Sequence, residues 1–433
     1  MNLVKNNFVL IFLFLYCCSF DNKTGLWKKE KPVIENENIN IIFKEEKNLI
    51  KEINADLKIK ISSRPLDQNF ENNLSNNNGR MNYDGKLESL NKYKFSKIKN
   101  FNKVESEIIV YNNNVIFFDN KGTLINFKNN SKLEWKKNFY SKSEKKLGPV
   151  PSMSLKNNIL IIADNLAKYY AVDATSGKLI WEKRNSSPFN SQVKILDDKF
   201  YVIDYQNILR CFSLNSGNEL WNIKTENTFI KSKKKLSIAI SNDRIFFNNY
   251  FGDIASVDIN NGELIWQLPT KKNSISENTY LLETSDIILN NEAIFLSNNT
   301  NKFFSINQRN GFINWEADIN SSLRPSIVDN LIFTITSDGY LVILEKENGK
   351  IIRSNYIFNK IKKSKVKNIK PTGFIIGLNN IYVSTDKGYL IIIDITSGKS
   401  KSVLRISSDK ISRPYLSEND LYILKSNGII KFN

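Results

Sequence analysis

Short runs of alternating hydrophobic and polar residues, bounded by Gly, Asn, Asp or Ser, recur along the chain from about residue 86 to its C-terminus. Alternation with a period of two predicts half-buried strands. One unit contains four such runs, PSMSL, ILIIAD, AKYYAVD and KLIWEK. The tip of one hairpin per unit falls at eight similarly spaced positions: Gly122, Leu166, Asn207, Gly252, Thr300, Gly339, Gly388 and Gly428.

Four strands in each of eight even units are the pattern of propeller blades. The sequence therefore predicts an all-β fold, an eight-bladed β-propeller of four-stranded antiparallel blades over residues 86–433. An open solenoid is the alternative, but neither end of the repeats resembles the capping unit that a solenoid needs. The chain ends with too few strands for its eighth blade. We therefore predict that an N-terminal strand within residues 88–101 completes this blade and closes the ring.

A turn followed by tryptophan accompanies the strands, as in AVDATSGKLIW (171–181) and SVDINNGELIW (256–266). We expect glycine to adopt left-handed backbone geometry, aspartate to cap the turn and tryptophan to seal one sheet against its neighbour. Two later turns, in 344–353 and 393–402, lack the tryptophan, and Trp135 follows Ser131 in place of glycine. The predicted structural residues of the turns are Asp173, Gly177, Trp181, Gly217, Trp221, Asp258, Gly262, Trp266, Gly311, Trp315, Asp394 and Gly398.

The N-terminus has the pattern of an export signal. Lys5 precedes an apolar run from Phe8 to Tyr16, which is too short to span a bilayer but matches the core of a signal peptide. The run ends in Leu15-Tyr16-Cys17-Cys18, which resembles a bacterial lipobox with Cys18 as the lipidated residue. Cys17, or an ordinary cleaved signal, remains an alternative. We predict a lipoprotein signal peptide over residues 1–17 and, because 18–85 is polar and Asn-rich, a lipid-anchored flexible tether there.

Composition excludes several kinds of chemistry. The chain has no histidine, which excludes a Ser-His-Asp or Cys-His mechanism and a histidine-ligated zinc site. No spacing typical of calcium ligands is visible, so we predict no catalytic residue, no metal site and no cofactor. The net charge of +18 includes two dense basic runs, 231–235 and 360–370. Solvated loops are the simpler interpretation of these runs, and contact with acidic lipid or an acidic partner is the alternative. The lack of interleaved aromatic residues argues against nucleic acid.

The AxDxxxGxxxW repeats resemble those of pyrroloquinoline-quinone-type propellers. Together with the lipobox, the eight hairpin tips and the incomplete last blade, they make residues 86–433 similar to the BamB family, lipoprotein subunits of the machinery that assembles outer-membrane β-barrels. The segments TSDGYLVILEKENGKIIRS (336–354) and SRPYLSENDLYILKSNGIIKFN (412–433) carry this resemblance most clearly. It implies a non-catalytic scaffold, anchored by lipid at the periplasmic face of the outer membrane.

The resemblance also implies partners and contact residues. The expected partners are a BamA-like barrel-inserting subunit, other subunits of the assembly complex and unfolded outer-membrane proteins. In the family the contact lies on the loop between the third and fourth blades, which here places it at Phe229, Ile230 and Lys231, with Glu283 on a second, acidic loop. The alternative for Phe229 and Ile230 is that they simply begin a strand.

Two other functions remain open at the level of the sequence. One is a quinone-dependent dehydrogenase of the same propeller class, which would need a calcium-bound cofactor and often an adjacent cysteine pair. The only adjacent pair is Cys17-Cys18 in the export signal, and Asp173, Asp258 and Asp394 are explained as turn caps. The other is a generic periplasmic propeller that binds proteins outside the barrel-assembly complex.

Overall fold

The computed structural model describes residues 51–65, 73–105, 107–226, 231–232, 234–270, 283–366, 368–417 and 419–433. Their strands form eight separate four-stranded antiparallel sheets. This confirms the predicted eight-bladed β-propeller, and we number the blades in chain order. No helix among the described residues is long and apolar enough to cross a membrane.

The first four blades each use four consecutive strands. Their bounds are β2 Ile109–Tyr111, β3 Asn114–Phe118, β4 Leu124–Phe127 and β5 Leu133–Lys137; β6 Pro151–Lys156, β7 Ile159–Asp164, β8 Lys168–Asp173 and β9 Leu179–Arg184; β10 Lys194–Leu196, β11 Lys199–Ile203, β12 Ile208–Ser213 and β13 Glu219–Lys224; β14 Ile238–Ser241, β15 Arg244–Asn248, β16 Ile254–Asp258 and β17 Leu264–Leu268.

The fifth to seventh blades repeat this order, and the eighth takes its last strand from the N-terminal side. Their bounds are β18 Ile288–Leu289, β19 Ala293–Ser297, β20 Phe303–Asn307 and β21 Ile313–Ala317; β22 Ser326–Val328, β23 Leu331–Ile335, β24 Tyr340–Glu345 and β25 Ile351–Tyr356; β26 Pro371–Ile376, β27 Asn380–Thr385, β28 Tyr389–Asp394 and β29 Ser400–Arg405; β30 Tyr415–Ser417, β31 Asp420–Lys425, β32 Gly428–Phe432 and β1 Ser89–Lys94. Short helices are α1 Lys142–Leu147, α2 Lys363–Val366 and the 3-10 turn Phe101–Lys103.

The ring closes through the first strand of the chain. β1 pairs antiparallel with the last strand, β32, and the register runs from Asn91 opposite Lys431 to Lys94 opposite Gly428. The predicted closure by an N-terminal strand is therefore confirmed. Because both ends of the ordered repeats lie in one sheet, opening the ring requires the loss of a complete ladder of backbone hydrogen bonds.

The hydrophobic core is divided into clusters that lie between neighbouring blades. Tyr201 of β11 and Phe247 of β15 belong to one such cluster, and Phe246 of β15 and Ile294 of β19 belong to the next. The two faces of one strand thus pack against different neighbours, which explains why the middle strands are almost wholly buried. β-Branched and aromatic residues predominate in these strands because they pack well on a pleated surface covered on both faces.

Tryptophans join the outer parts of neighbouring blades. The Nε1 of Trp181 in blade two donates a 3.0 Å hydrogen bond to Leu214 O in the turn of blade three. Its ring lies on Gly217, where φ is +67° and an added Cβ would come within 2.6 Å of the indole. Similar bonds of 3.0 Å join Trp135 to Ala174 O, Trp266 to Gln308 O and Trp315 to Lys346 O. In each case the acceptor lies three residues before the turn glycine that the indole covers: Gly177, Gly311 and Gly349.

The remaining predicted turn residues lie in the same kind of turn. Trp221 covers Gly262, without a hydrogen-bond acceptor for its Nε1 among the described residues. The Oδ1 of Asp173 accepts hydrogen bonds from the backbone N and the Oγ of Ser176, at 2.7 and 2.6 Å. Asp258 and Asp394 cap their own turns through backbone N–H groups two or three residues later. These side chains satisfy turn donors locally, as Asp does in Asx turns.

Arginine replaces tryptophan at the junction between blades six and seven. Arg353 stands four residues after Gly349, is fully buried and lies against Gly398. Its guanidinium donates to Thr396 O and Ile395 O of blade seven, at 2.5 and 3.3 Å. It also donates to Leu57 O of the N-terminal segment at 2.8 Å. The planar, multiply donating guanidinium therefore occupies the position of an indole and recruits the N-terminal segment.

The prediction of a flexible tether over residues 18–85 is wrong for residues 51–65 and 73–85, which the structure describes. Ile53 forms an antiparallel bridge with Ser354 of β25, and Ile59 N donates to Thr396 O at 2.9 Å. Met81 and Tyr83 are buried against the blades. Residues 51–65 and 73–85 thus belong to the folded body, because their polar groups pair with blade backbone rather than with water. The signal peptide, Cys18 and the rest of the predicted tether up to residue 50 lie outside the described residues.

The indole contact predicts different costs for two glycine substitutions. Gly217 and Gly148 share a left-handed backbone, with φ of +67° and +69°, but an added Cβ meets the Trp181 ring only at Gly217. We expect Gly217→Ala to lower the free energy of unfolding by about 3 kcal/mol, through backbone strain and overpacking together. Gly148→Ala, the matched control, should cost about 1 kcal/mol, because it has strain alone. Equal costs in urea unfolding would contradict the packing role of the indole.

Candidate functional site

A cavity of about 440 Å³ lies where the innermost strands of the blades begin. Its walls come from the first strand of every blade or from the segment that leads into it, so the cavity lies around the axis of the ring. Seven basic and four acidic described side chains line it, a surplus of three positive charges. The basic residues are Lys103, Lys194, Lys234, Lys235, Arg324, Lys410 and Arg413, and the acidic residues are Glu105, Glu107, Glu283 and Asp286.

Two arginines and two carboxylates form an ion cluster in this cavity. Arg324 contacts Glu107 Oε1 through Nη2 at 2.9 Å and Asp286 Oδ2 through Nε at 2.5 Å. Arg413 Nη2 contacts the same Glu107 oxygen at 2.5 Å. The four residues precede strands of blades one, five, six and eight, so the cluster connects distant parts of the ring.

The cluster controls the ionisation of its acids. Burial opposes ionisation of Asp286, but Arg324, Lys234 and Arg413 outweigh it and lower the pKa of this carboxyl to about 2. Burial likewise opposes ionisation of Glu107, and Arg324 and Arg413 hold its pKa at about 2. Both acids are therefore charged at neutral pH, and each remains paired with guanidinium.

Four lysines of the cavity contact neutral oxygens of the chain. Lys194 Nζ contacts Asn76 Oδ1 at 2.7 Å, Lys235 Nζ contacts Ser152 Oγ at 2.6 Å, and Lys410 Nζ contacts Asn102 O at 3.1 Å. Lys234 Nζ contacts Ser322 O. Burial lowers the pKa of Lys194 to about 7 and that of Lys235 to about 8, and it also lowers the pKa of Lys410. The cavity is therefore rich in basic residues, but its ammonium groups have lost part of their contact with water, which disfavours their charged form.

The N-terminal segment packs against the innermost strands beside the cavity, where Lys194 of the cavity wall donates to Asn76 Oδ1. Asn76 is fully buried, and its Nδ2 donates to Ile238 O and Ile287 O, both at 2.9 Å. Ile240 N and Leu289 N, in β14 and β18, donate to the carbonyls of Leu74 and Ser75 at 2.9 and 3.0 Å. This segment therefore contributes chain from outside the regular repeats to the interior of the ring beside the cavity.

Part of the predicted partner-binding region lines the basic cavity. The loop 225–237 connects β13 to β14, between blades three and four, and its residues Lys234 and Lys235 line the cavity. Lys231 Nζ lies 6.0 and 5.5 Å from the ring centres of Tyr205 and Tyr250, and burial lowers its pKa. Glu283 lines the cavity from the segment before β18. Phe229 and Ile230 lie outside the described residues.

The residues of the site do not fit a calcium-bound quinone. The described residues contain no group of three or more His, Cys, Asp or Glu side chains that could hold a metal ion. The two acids that are best placed, Glu107 and Asp286, are neutralised by arginine. Cys211 is buried, and burial raises the pKa of its thiol to about 12, so it is an unreactive core residue. We therefore derive no reaction step through such a cofactor.

The four residues of the ion cluster occupy the same position in the repeat, which becomes visible when the blades are compared with one another. Glu107, Asp286, Arg324 and Arg413 each stand two residues before the innermost strand of their blade. Their spacing along the chain is irregular because the blades differ in length. Only superposition of the blades brings the four charges to one structural position, where they can meet around the axis.

Sequence and structure comparisons relate the chain to propellers of known kinds. The family model described as outer membrane protein assembly factor BamB matches residues 135–355. No curated protein matches the chain by sequence. The structure of BamB from Moraxella catarrhalis is similar, with a TM-score of 0.66 and 14% identity, over 80% of this chain and 100% of that chain.

Other solved structures share the fold at lower identity. A quinohemoprotein alcohol dehydrogenase from Comamonas testosteroni has a TM-score of 0.63 and 9% identity, over 83% of this chain and 78% of its own. The computationally designed Ika8 protein has a TM-score of 0.60 and 9% identity, over 81% of this chain and 99% of its own. Likeness at such identity shows the propeller fold alone and transfers no activity.

The ion cluster predicts a pH-dependent cost for Asp286→Asn. We expect this substitution to lower the free energy of unfolding by about 2 kcal/mol at pH 7, since it leaves the buried guanidinium of Arg324 with Glu107 as its remaining carboxylate partner. The pKa of Asp286 is depressed from 3.8 to about 2. Its contribution is therefore present above pH 4 and is lost as the pH falls towards 2.

Urea unfolding at pH 7 and at about pH 2.5 tests this dependence. The difference between wild type and Asp286→Asn should shrink at the lower pH, while the exposed turn variant Glu347→Gln should have little effect at either pH. A difference that is independent of pH would contradict the ion-pair account of Asp286.

Proposed function

The chain belongs to the family of outer membrane protein assembly factor BamB, whose model matches just over half of its length, and we propose that it is a non-catalytic scaffold of the outer-membrane β-barrel assembly complex. Family membership is the observation that carries this proposal. A propeller suits the role because it displays many loops and short strand edges on a rigid ring.

We place the main partner contact on the loop between blades three and four. In this proposal Phe229 and Ile230 supply apolar anchors, Lys231 supplies the adjacent charge, and Glu283 lies on the second contact loop. Buried apolar anchors beside a charged group are the usual make-up of an interface hot spot. The partner is the set of periplasmic domains of a BamA-like barrel-inserting subunit. The surplus of positive charge at the nearby cavity mouth favours an acidic surface on that partner.

Unfolded outer-membrane proteins are the proposed clients, and they would bind along the outermost strands. These strands expose large apolar side chains, among them Leu179, Ile180, Leu264, Ile265 and Ile313. The chain itself supplies an example of edge pairing, because Ile53 bridges to Ser354 on the outermost strand of blade six. An extended client can add to such an edge by β-augmentation, with its alternate side chains on the apolar positions.

The proposed location is the periplasmic face of the outer membrane, with Cys18 lipidated and residues 18–50 as the remaining tether. Acyl chains at Cys18 would hold the ring near the barrel-inserting subunit, and several chains are needed for stable anchoring. The dehydrogenase alternative is favoured by the shared fold, but the described residues of the cavity do not supply the donors that its calcium-bound cofactor needs.

The loop assignment predicts a selective loss of partner binding. We expect Phe229→Ala combined with Ile230→Ala to weaken binding of the purified periplasmic domains of the barrel-inserting subunit by about 100-fold, as loss of two apolar anchors does. Biolayer interferometry measures the affinity, and unchanged thermal unfolding shows that the ring is intact. Leu179→Ala with Ile180→Ala, a pair of exposed apolar residues on β9, is the matched control and should leave this affinity unchanged.

Binding of both variants at wild-type strength would refute the loop assignment. No binding of the wild-type protein to the barrel-inserting subunit, combined with capture of other periplasmic proteins, would favour the generic protein-binding propeller. Quinone-dependent oxidation of an alcohol by the purified protein would favour the dehydrogenase.

The anchor assignment predicts that one cysteine controls lipidation. Cys18→Ser should abolish incorporation of radiolabelled palmitate and release the protein from the membrane fraction, because only the acyl chains hold it there. Cys17→Ser is the control and should remain labelled. Label that survives in Cys18→Ser but is lost in Cys17→Ser would move the anchor to Cys17.

A further inference from the structure

The basic cavity has the features of a ligand site that the scaffold role does not use. Its volume of about 440 Å³ lies within the range of small-molecule pockets. The segment around Asn76 bonds to the innermost strands of blades four and five and to Lys194 of the cavity wall, so it occupies space that an extended chain along the axis would need. The cavity is therefore shaped for a compact molecule that enters at the charged mouth.

The charges of the cavity are only partly neutralised from within. Arg324 is satisfied by Glu107 and Asp286. Lys194, Lys234 and Lys410 instead hold neutral carbonyl or amide oxygens of the described chain. Lys194 is buried and Lys234 and Lys410 are half-buried. Ammonium groups that lose water without gaining a counter-charge are costly, so an anion that enters the cavity would relieve an unfavourable arrangement.

Arg413 points to the same kind of ligand. One of its nitrogens, Nη2, is paired with Glu107, whereas the buried Nη1 has no hydrogen-bond acceptor among the described atoms. The backbone of Gly373 packs directly against this side chain, since an added Cβ there would come within 2.4 Å of Arg413 Cβ. A fixed guanidinium with a free donor is suited to a carboxylate or phosphate oxygen.

We propose that the axial cavity binds a small organic anion with two or more carboxylate or phosphate groups, held by Arg413, Lys410 and Lys235. These residues enter from blades eight and four, so the bound molecule joins two sides of the ring. The site differs from the proposed protein-binding loop because its residues line the interior of the cavity. The proposal does not depend on the scaffold role, and its failure would leave that role intact.

Isothermal titration calorimetry with citrate and with inorganic pyrophosphate tests the proposal on the chain without its signal peptide, in about 150 mM chloride to screen weak surface charge. We expect saturable binding of at least one probe with a Kd below about 1 mM. Binding of citrate alone assigns carboxylate ligands, and binding of pyrophosphate alone assigns phosphate ligands. Absence of saturable binding by either probe overturns the proposal.

Variants locate the site. Lys410→Gln and Lys235→Gln should each weaken probe binding at least 10-fold, while Lys410→Arg retains it because the charge is kept. Lys142→Gln, an exposed lysine at the start of α1, is the matched control and should bind as the wild type does. Thermal unfolding of each variant shows that the ring is intact. Equal binding by Lys410→Gln and wild type would place the anion elsewhere and overturn the assignment.

An acidic peptide is the alternative ligand for the basic residues of the axial cavity. A hexamer of glutamate serves as its probe in the same titrations. Tighter binding of the hexamer than of citrate and pyrophosphate, lost in Lys410→Gln, would replace the small-molecule proposal by a peptide site at the mouth.

Discussion

The contact between an indole and the glycine turn of the next blade is the interaction on which the ring depends. It combines an aromatic ring on the outermost strand with a turn that lacks a Cβ, and at four of the five tryptophan junctions a turn carbonyl also accepts from the indole nitrogen. Trp181, Gly217 and Leu214 O supply all three at one junction, and the same geometry recurs around much of the ring. Because each contact links consecutive blades, the repeat in the sequence translates directly into closure in space.

Two of the three junctions that lack tryptophan show how other residues join neighbouring blades. At the closing junction the hydroxyl of Tyr93 in β1 donates to Asn129 O of blade one at 3.0 Å, and Ser131 adopts the left-handed turn with φ of +61°. Arg353 performs the corresponding role between blades six and seven, where it also holds the N-terminal segment. Replacement of an indole thus coincides with recruitment of chain from outside the regular repeats at both places.

Local and repeated features of the fold could be predicted from the sequence, and features that depend on distant partners could not. Alternating strands, Gly-containing turns and the incomplete eighth blade are all visible within short windows, so blade number and closure follow from them. Asn76 gives no such signal, because its partners Ile238 and Ile287 lie far along the chain. Its Asn-rich surroundings have the composition of a loop, and composition does not distinguish water from blade backbone as the hydrogen-bond partner.

The candidate site likewise has one part that could be predicted from the sequence and another that depends on residues far apart in the chain. The loop 225–237 can be singled out through the resemblance to the BamB family, whereas Glu107, Arg324 and Arg413 look like ordinary surface charges until the blades are superposed. Their meeting around the axis follows from ring geometry: the outer contacts fix the blades at their rims, and the innermost strands then bring together whatever residues precede them. The N-terminal segment reaches the same place, because Asn76 donates to Ile238 O and Ile287 O and accepts from Lys194 of the cavity wall. Chain from outside the regular repeats therefore helps to shape the cavity that the ring geometry creates.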